Sequence, residues 1–563
     1  MELLEKYFDT AFAAPDGVQK LRELILTLAV QGKLVPQDLK EQPASELLKE
    51  IAAERQRLEK EKELRTAADE HISESEEYTG RPFGWKYCRL GNLARFIDYR
   101  GRTPEKVDSG IPLITAKNVR FGFINREPYE YITEDEYENW MTRGYPKLGD
   151  LLFTTEAPLG NIAVIDIQER FALAQRVICL QLHKPDIGSF LKWLIMSVSF
   201  QSQLLNNATG MTAKGIKSAR LKEIPIPLPP LAEQHRIVAK IDQLMARCDD
   251  LEKLRGDRNQ KRITIHTAAL DRLLTAKESN DFSTAWRFIT QHFGELYSVK
   301  ENVAELRKAI LQLAVMGKLV PQNPKDEPAS ELLKTIEAEK QRLVKKGKIK
   351  AQKPLPKISQ EEIPYALPEG WKWVRMDDLC IGITSGSTPP NNIFSDKEGI
   401  PFLKVYNIRN QKIDFQYKPQ FINEEYHLKS KRSCLNPGDV IMNIVGPPLG
   451  KVAIIPNHFP EYNCNQAIVF FRPVIKSLNE YLYLYLLSGK FLDKIELIGT
   501  AGQDNISVTK SRSILIPLAP LSEQLRIIKK TDFLMDLCDR LEKQIDAATS
   551  KRTELLKALM AQV

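Results

Sequence analysis

The chain is written twice. LRELILTLAVQGKLVPQDLKEQPASELLKEI begins at Leu21, and LRKAILQLAVMGKLVPQNPKDEPASELLKTI begins at Leu306, an offset of 285 residues. Leu28–Gln37 and Leu313–Gln322 differ only at Gln31/Met316, and PASELLK is identical in both copies. A second matched block closes each half: IPIPLPPLAEQHRIVAKIDQLMARCDDLEK from Ile224 and ILIPLAPLSEQLRIIKKTDFLMDLCDRLEK from Ile514, now 290 apart. Such a period far exceeds the roughly 20–50 residues of solenoid repeats, so it reports duplication of a whole multi-domain segment. The two copies read as roughly 1–277 and 286–563, with a short connection at Lys277–Thr284.

Between the matched blocks each half carries a divergent segment, Trp85–Glu223 and Trp371–Ser513. Both open on Trp, pass a turn ending at Pro104 or Pro389, and continue as GIPLITAKNVR (Gly110) or GIPFLKVYNIR (Gly399). A Gly-Asp turn, a hairpin-like APLGNIAVI or PPLGKVAII, and a strand bearing Gln175 or Gln466 follow. Phe121–Leu148 and Asn410–Asn436 barely match. A frame kept alike around divergent centres points to equal mechanical roles with different binding targets; plain drift of a less constrained domain is the competing reading.

The frame is helical. Pro229–Pro230 and Pro520 precede long periodic runs, as prolines at a helix start do. Ile237, Ile241, Leu244, Cys248 and Leu251 follow 4-3-4-3 spacing, and Ile527, Leu534, Cys538, Leu541 and Ile545 keep that register, which predicts a coiled-coil-like seam. A helix of about 40 residues spans roughly 60 Å. Leu21–Val35 and Ala44–Arg65 add shorter amphipathic helices, while Asp69–Tyr78 and Lys345–Pro368 read as linkers. The divergent segments alternate β-type runs with Gly/Pro turns and end in one apolar helix each, Ser189–Asn206 and Leu478–Ile498. The predicted organisation is therefore a helical arm (1–84), an α+β domain (85–225), a central helix with second arm and linker (226–370), a second α+β domain (371–515) and a closing helix (516–563).

Familiar catalytic chemistry is missing from the sequence. GMTAKGIKS, from Gly210, has Ile216 where a phosphate-binding loop needs Lys. The Pro-Pro pairs lack the flanking residues of an amino-methyltransferase clamp. The seven cysteines (88, 179, 248, 380, 434, 464, 538) include no CxxC pair and no near His, so neither a zinc site nor a disulfide framework is expected. No apolar run approaches the ~18 residues of a membrane helix, and the acidic, amphipathic MELLEKYFD is unlike a secretory signal, so the expected location is cytoplasmic. A net charge of +8 permits a polyanionic partner.

If that partner is DNA, base edges are read by polar side chains on turns and strand ends, while Lys and Arg set position on phosphates. The candidates in the first domain are Arg102, Thr103, Lys117, Asn118, Arg120, Thr154, Thr155, Gln175, Arg176, Lys214, Lys217 and Arg220. Those in the second are Ser387, Thr388, Tyr406, Asn407, Arg409, Asn443, Asn465, Gln466, Gln503, Asn505, Lys510 and Arg512. For each taken singly the competing reading is a solvated loop residue.

IPLPPLAEQHRIV and IPLAPLSEQLRII resemble the framework motif of type I restriction–modification specificity subunits, and LAVQGKLVPQ followed by PASELLK resembles their long-armed branch. The resemblance covers nearly the whole chain and involves two motif types, each present twice in the expected order. It implies two α+β target-recognition domains joined by long antiparallel framework helices with pseudo-twofold symmetry, reading a bipartite, non-palindromic DNA target. It further implies a non-catalytic chain assembled with two modification (methyltransferase) subunits and two ATP-dependent restriction subunits, so that S-adenosylmethionine, ATP and Mg2+ belong to the partners and none to this chain. The alternative is a stand-alone architectural or decoy DNA-binding protein.

Overall fold

The computed structural model describes residues 2–61, 72, 82–99, 104–174, 176–210, 214–351, 353–395, 397–446, 448–495 and 505–562. The chain forms two compact units, Met1–Arg258 with Ala548–Val563, and Asn259–Ala547. The division falls inside the two long helices rather than at Lys277–Thr284. The helices of the frame are α1 (Glu2–Phe12), α2 (Gly17–Val30), α3 (Ala44–Lys60), the 45-residue α4 (Leu231–Thr275), α5 (Ser279–Gln291), α6 (Lys300–Val315), α7 (Ala329–Lys345) and the 40-residue α8 (Leu521–Met560). The expected connection at Lys277–Thr284 is helical from Ser279 onward. The Asp69–Tyr78 linker lies, apart from Ile72, outside the described residues.

Ile237, Ile241, Cys248, Ile527 and Cys538 of the seam are buried and Leu244, Leu534, Leu541 and Ile545 half-buried, and their packing identifies the partner. Ile237, Ile241 and Cys248 join a core with Val18, Ile25 and Ala29 of α2, Ile51 of α3, and Trp85, Ile226 and Leu228. The start of α4 thus packs on the arm and α+β domain of its own half, and the seam stops at Leu251, which is 42% exposed. Ile527 of α8 repeats that role beside Trp371, Val374, Ile516 and Leu518. Further along α8, Leu534, Cys538, Leu541 and Ile545 meet Ile310 and Leu313 of α6 together with Leu270 and Leu273 from the end of α4. In the first unit, Leu556 and Leu559 from the end of α8 meet Phe12 of α1 and Leu24 of α2. Each arm therefore holds the beginning of its own long helix and the end of the other.

Each α+β domain is built on a four-stranded antiparallel sheet. Its strand order is 94–98, 177–182, 151–155, 159–164 in the first domain and 380–385, 468–473, 440–443, 452–454 in the second. Successive strand residues point to opposite faces, and here both faces are covered. Phe153, Ile178 and Leu180 face the frame, whereas Leu152, Val177 and Cys179 face a second, smaller sheet containing 111–114 and 172–173. Met442, Val469 and Phe471 against Ile441, Ile468 and Phe470 repeat the division. The helix expected at Ser189–Asn206 is two helices, because Ser197 accepts a hydrogen bond from the Phe200 amide and caps a new start. The one expected at Leu478–Ile498 ends at Leu487, before Gly489 with φ +70°.

The same clasp closes both domains. Lys86–Arg89 pairs antiparallel with Pro225–Leu228, and Lys372–Arg375 with Leu515–Leu518, in equivalent register. Beside each clasp the opening Trp donates its indole N–H to the Glu of the EQ motif: Trp85 to Glu233 and Trp371 to Glu523, both 3.0 Å. Both carboxylates are 1% exposed, and burial pushes both upward from the ordinary range. The neighbouring Gln234 and Gln524 donate to the Pro229 and Ala519 carbonyls at 2.9 and 2.8 Å. Ion pairs are duplicated as well: Arg22 holds Asp249 and Glu252, and Arg307 holds Asp539 and Glu542. Arg236–Glu41 and Arg526–Asp326 repeat the pattern. Half-exposed pairs of this kind contribute about 0–1 kcal/mol each, so they align the helices more than they stabilise them.

Trp371→Phe removes the indole donor from a buried acid, which costs about 1.5–3 kcal/mol and lowers the thermal midpoint. The sign with pH follows from the upward shift: a raised carboxyl gives stability below its unfolded value and loses it as pH rises through the folded one. The deficit of the variant is therefore larger at pH 7 than at pH 4.5, and Glu523→Gln in the same chain flattens that difference. Thermal denaturation at the two pH values reads both effects.

Candidate nucleic-acid interface

Past the strand at 111–114, and its counterpart at 400–403, each domain projects a small hairpin. In the first, the Arg120 amide donates to the Phe123 carbonyl at 2.9 Å, with Phe121 and Gly122 at the tip. Gly122 has φ +102°, a left-handed value that glycine adopts without a Cβ clash. In the second, Arg409 pairs with Lys412. The tip residues Asn410 and Gln411 have φ +48° and +59°, the two positive values of a type I′ turn. Arg120 and Arg409 stand at the same corner, both exposed. Arg409 lies 4.1 Å over the Tyr417 ring and 3.7 Å from Asp414.

The base of each hairpin is pinned by a buried asparagine, and this corrects the expectation that Asn118 and Asn407 reach a base edge. Asn118 Oδ1 accepts from the Thr115 amide and hydroxyl, while Nδ2 donates to the carbonyls of Asn125, Arg126 and Pro128. Asn407 Oδ1 accepts from the Lys404 amide, and Nδ2 donates to Asp414 and Tyr417. Both are 1% exposed, and their hydrogen-bonding capacity is spent inside the fold.

Three more candidates are likewise structural. Asn443 is closed by the Lys451 amide and the Pro448 carbonyl. Thr154 accepts from the Asn161 amide, and Thr155 donates to the Arg176 carbonyl. All three are buried because the strands carrying them are covered on both faces. Arg512 is committed to Asp377 at 2.8 and 3.0 Å. Tyr406 is half-buried and donates to Gln420 at 3.4 Å. Ser387 is half-buried between Ser433 and Tyr426, and Thr388 beside it is exposed.

The structure brings several others together at one end of the large sheet. In the first domain residues 214–217 bridge back, with Gly215 opposite Glu156 and Thr209 and the Ile216 amide donating to the Thr155 carbonyl. Arg176 (φ +72°), Glu156 and Lys217 line a cleft of about 320 Å³ there, and Lys214 and Arg220 are exposed nearby in sequence. Arg176 leans to Glu156 at 3.5 Å. The second domain copies the join: Asn505 bridges Val445, and the Ile506 amide donates to Ile444, whose own amide donates to Ala467 beside the exposed Gln466. Asn465 and Asn505 each keep a buried carboxamide oxygen without a partner among the described residues. Lys510 instead lines a separate cleft with Glu361, Lys490 and Lys494. Lys117 is exposed and 3.8 Å from Glu130. Arg102, Thr103, Gln175 and Gln503 lie outside the described residues.

Sequence reasoning passed over the aromatic members of this surface. Phe121 and Phe123 are exposed at the first hairpin, and Tyr417 is exposed beside Arg409 at the second. Their signal was present as aromatic residues interleaved with Arg and Lys in the stretches where the two halves stop matching.

Comparison with known proteins gives this geometry its context. A family profile described as "Type I restriction modification DNA specificity domain" matches twice, at residues 82–259 and 368–549. The chain is 33% identical to the type I restriction enzyme EcoAI specificity subunit of Escherichia coli and 30% identical to the EcoEI specificity subunit of the same organism. Each alignment covers 96% of this chain and 93% of the relative. Among solved structures, the HsdS subunit from Thermoanaerobacter tengcongensis matches at 17% identity with a TM-score of 0.39, over 87% of this chain and 98% of that one. With two matched domains in tandem and relatives aligned along nearly its full length, the chain belongs to the family of type I restriction–modification specificity subunits.

Proposed function

We propose that the two recognition domains read the two halves of a bipartite, non-palindromic DNA target. The carrying observation is that identical mounts present hairpin tips of different chemistry at equivalent corners, Arg120-Phe121-Gly122-Phe123 in one domain and Arg409-Asn410-Gln411-Lys412 in the other. Arg120, Arg176, Lys214, Lys217 and Arg220, with Lys117 beside them, supply the first contact set. Arg409, Gln466 and Asn505, with Thr388, supply the second. Cations of this kind hold phosphates, and the side chains at the tips reach base edges. The long helices, each shared by both units, set the gap between the half-sites.

A specificity subunit is non-catalytic, and catalysis belongs to its partner subunits. We infer an assembly with two modification and two restriction subunits, which hold S-adenosylmethionine, ATP and Mg2+. Among the described residues no helix is long and apolar enough to cross a membrane, and the proposed site of action is cytoplasmic DNA. Co-purification with a methyltransferase subunit separates this reading from that of a stand-alone DNA-binding protein.

Exchanging residues 85–225 for the corresponding domain of another family member changes one half of the methylated sequence and leaves the other half and the gap intact. Mapping of modified bases in a host carrying the partner subunits reads the outcome, and a change in both halves overturns the modular reading.

Within one domain, Arg409→Ala leaves the thermal midpoint essentially unchanged, since exposed substitutions cost within about 0.5 kcal/mol. It weakens target binding by the assembled complex, with a salt slope reduced by about one. Asn407→Ala lowers both stability and binding, because three part-buried hydrogen bonds made by a buried side chain are lost together.

A further inference from the structure

The first recognition domain has a cavity of about 550 Å³ lined in part by Tyr137, Tyr145, Phe171 and Arg170. The rings of Tyr137 and Tyr145 lie 6.0 Å apart, and the Arg170 guanidinium sits 5.6 Å over Tyr137. Three registers carry these positions into the second domain. Thr133 and Asn423 cap equivalent short helices through their side chains, which sets Tyr137 against His427. The Gly149–Asp150 and Gly438–Asp439 turns set Tyr145 against Cys434. The parallel pairings Leu113↔Ala172 and Phe402↔Asn463 set Arg170 against Glu461. One place in the fold thus carries an aromatic and cationic trio in one copy and His, Cys and Glu in the other.

In the second domain these three groups converge. His427 Nε2 lies 2.9 Å from Glu461 Oε2, and with Cys434 Sγ the ligand atoms all fall within 4.8 Å of one another. His427 is buried, Cys434 half-buried and Glu461 half-exposed, so solvent reaches one side of the cluster. We propose that His427, Cys434 and Glu461 form a binding site for a zinc-like divalent cation, with water as the fourth ligand. The donor set is one imidazole, one thiolate and one carboxylate, which suits a borderline-soft tetrahedral ion. Metal–ligand bonds of about 2.0–2.3 Å put tetrahedral donor atoms roughly 3.5 Å apart, so small side-chain rotations close the site. Cys434 enters as thiolate and its proton passes to solvent.

Asn463, fully buried, supplies the supporting contact. Its Nδ2 lies 3.2 Å from His427 Nδ1. Its Oδ1 accepts from the Cys464 amide at 2.9 Å, which fixes the carboxamide and so orients the His427 ring with Nε2 toward Glu461. The bound ion would tie the 424–429 helix to the strands at 434–435 and 462–464, and so hold the outer sheet of this domain alone.

The test is elemental analysis of the full-length chain, purified without chelator or a histidine tag, followed by Zn2+ and Co2+ titration of the stripped protein. About one zinc per chain is expected, with a thiolate-to-cobalt charge-transfer band on Co2+ addition. Cys434→Ser and His427→Gln reduce both at least tenfold, within the range that loss of a coordinating contact produces. Chelation lowers the thermal midpoint of the natural chain and zinc restores it, whereas Cys434→Ser responds to neither. A natural chain that purifies metal-free and takes up neither ion at micromolar concentration overturns the proposal, leaving a hydrogen-bonded cluster only. Equal metal content in both variants overturns it too. DNA binding is not part of the readout, so failure here leaves the recognition reading untouched.

Discussion

A buried indole–carboxylate hydrogen bond, made once in each half, governs how this chain is put together. Trp85–Glu233 and Trp371–Glu523 join the first residue of each recognition domain to the first turn of the long helix that follows it. A carboxylate taken out of water is costly unless hydrogen-bonded, so the acid holds its indole partner in one place. With the two-strand clasp alongside, each domain enters and leaves the frame at a single point. Everything between entry and exit is then free to vary, provided that the large sheet keeps both faces covered.

Chemistry is displayed on the far side of that wall. The inner face of the sheet belongs to the frame and the outer face to the small sheet, so polar strand residues near its middle are consumed by the fold. What remains for a ligand is the hairpin tip, held from below by Asn118 or Asn407, and the loop that closes over the sheet end. A bend with Gly122 at φ +102° in one copy and a type I′ tip in the other show that even the backbone of the reading element has diverged on a matched base. The same logic extends to the Tyr137/His427 position, where equivalent places in the two domains hold different side-chain clusters.

Much of this was legible in the residues, and the failures have physical causes. Near-identical strings at Leu28 and Leu313 point to matched mounts, and the 4-3-4-3 spacing places Ile237, Ile241 and Cys248 in a core. The spacing could not say which core, because an apolar stripe packs equally well on its own arm or on another long helix. In the sequence Asn118, Asn407 and Asn443 stand as candidate base contacts because the side chain that pins a turn is the one that binds a base edge; only burial separates the two uses. Glu233 and Glu523 escaped notice since acids are almost never fully buried unless paired. His427, Cys434 and Glu461 come from separate segments with no ligand spacing, and folding alone brings them together.

The most direct measurement concerns the proposed role of the long helices in setting the gap between half-sites. Seven residues inserted after Arg258 in α4 and seven after Ala547 in α8 add two helical turns, about 10 Å, or roughly three base pairs of duplex. Mapping the bases methylated by the assembled enzyme should return both half-sites unchanged, with a gap longer by about three. An unchanged gap, or altered half-sites, would contradict the account.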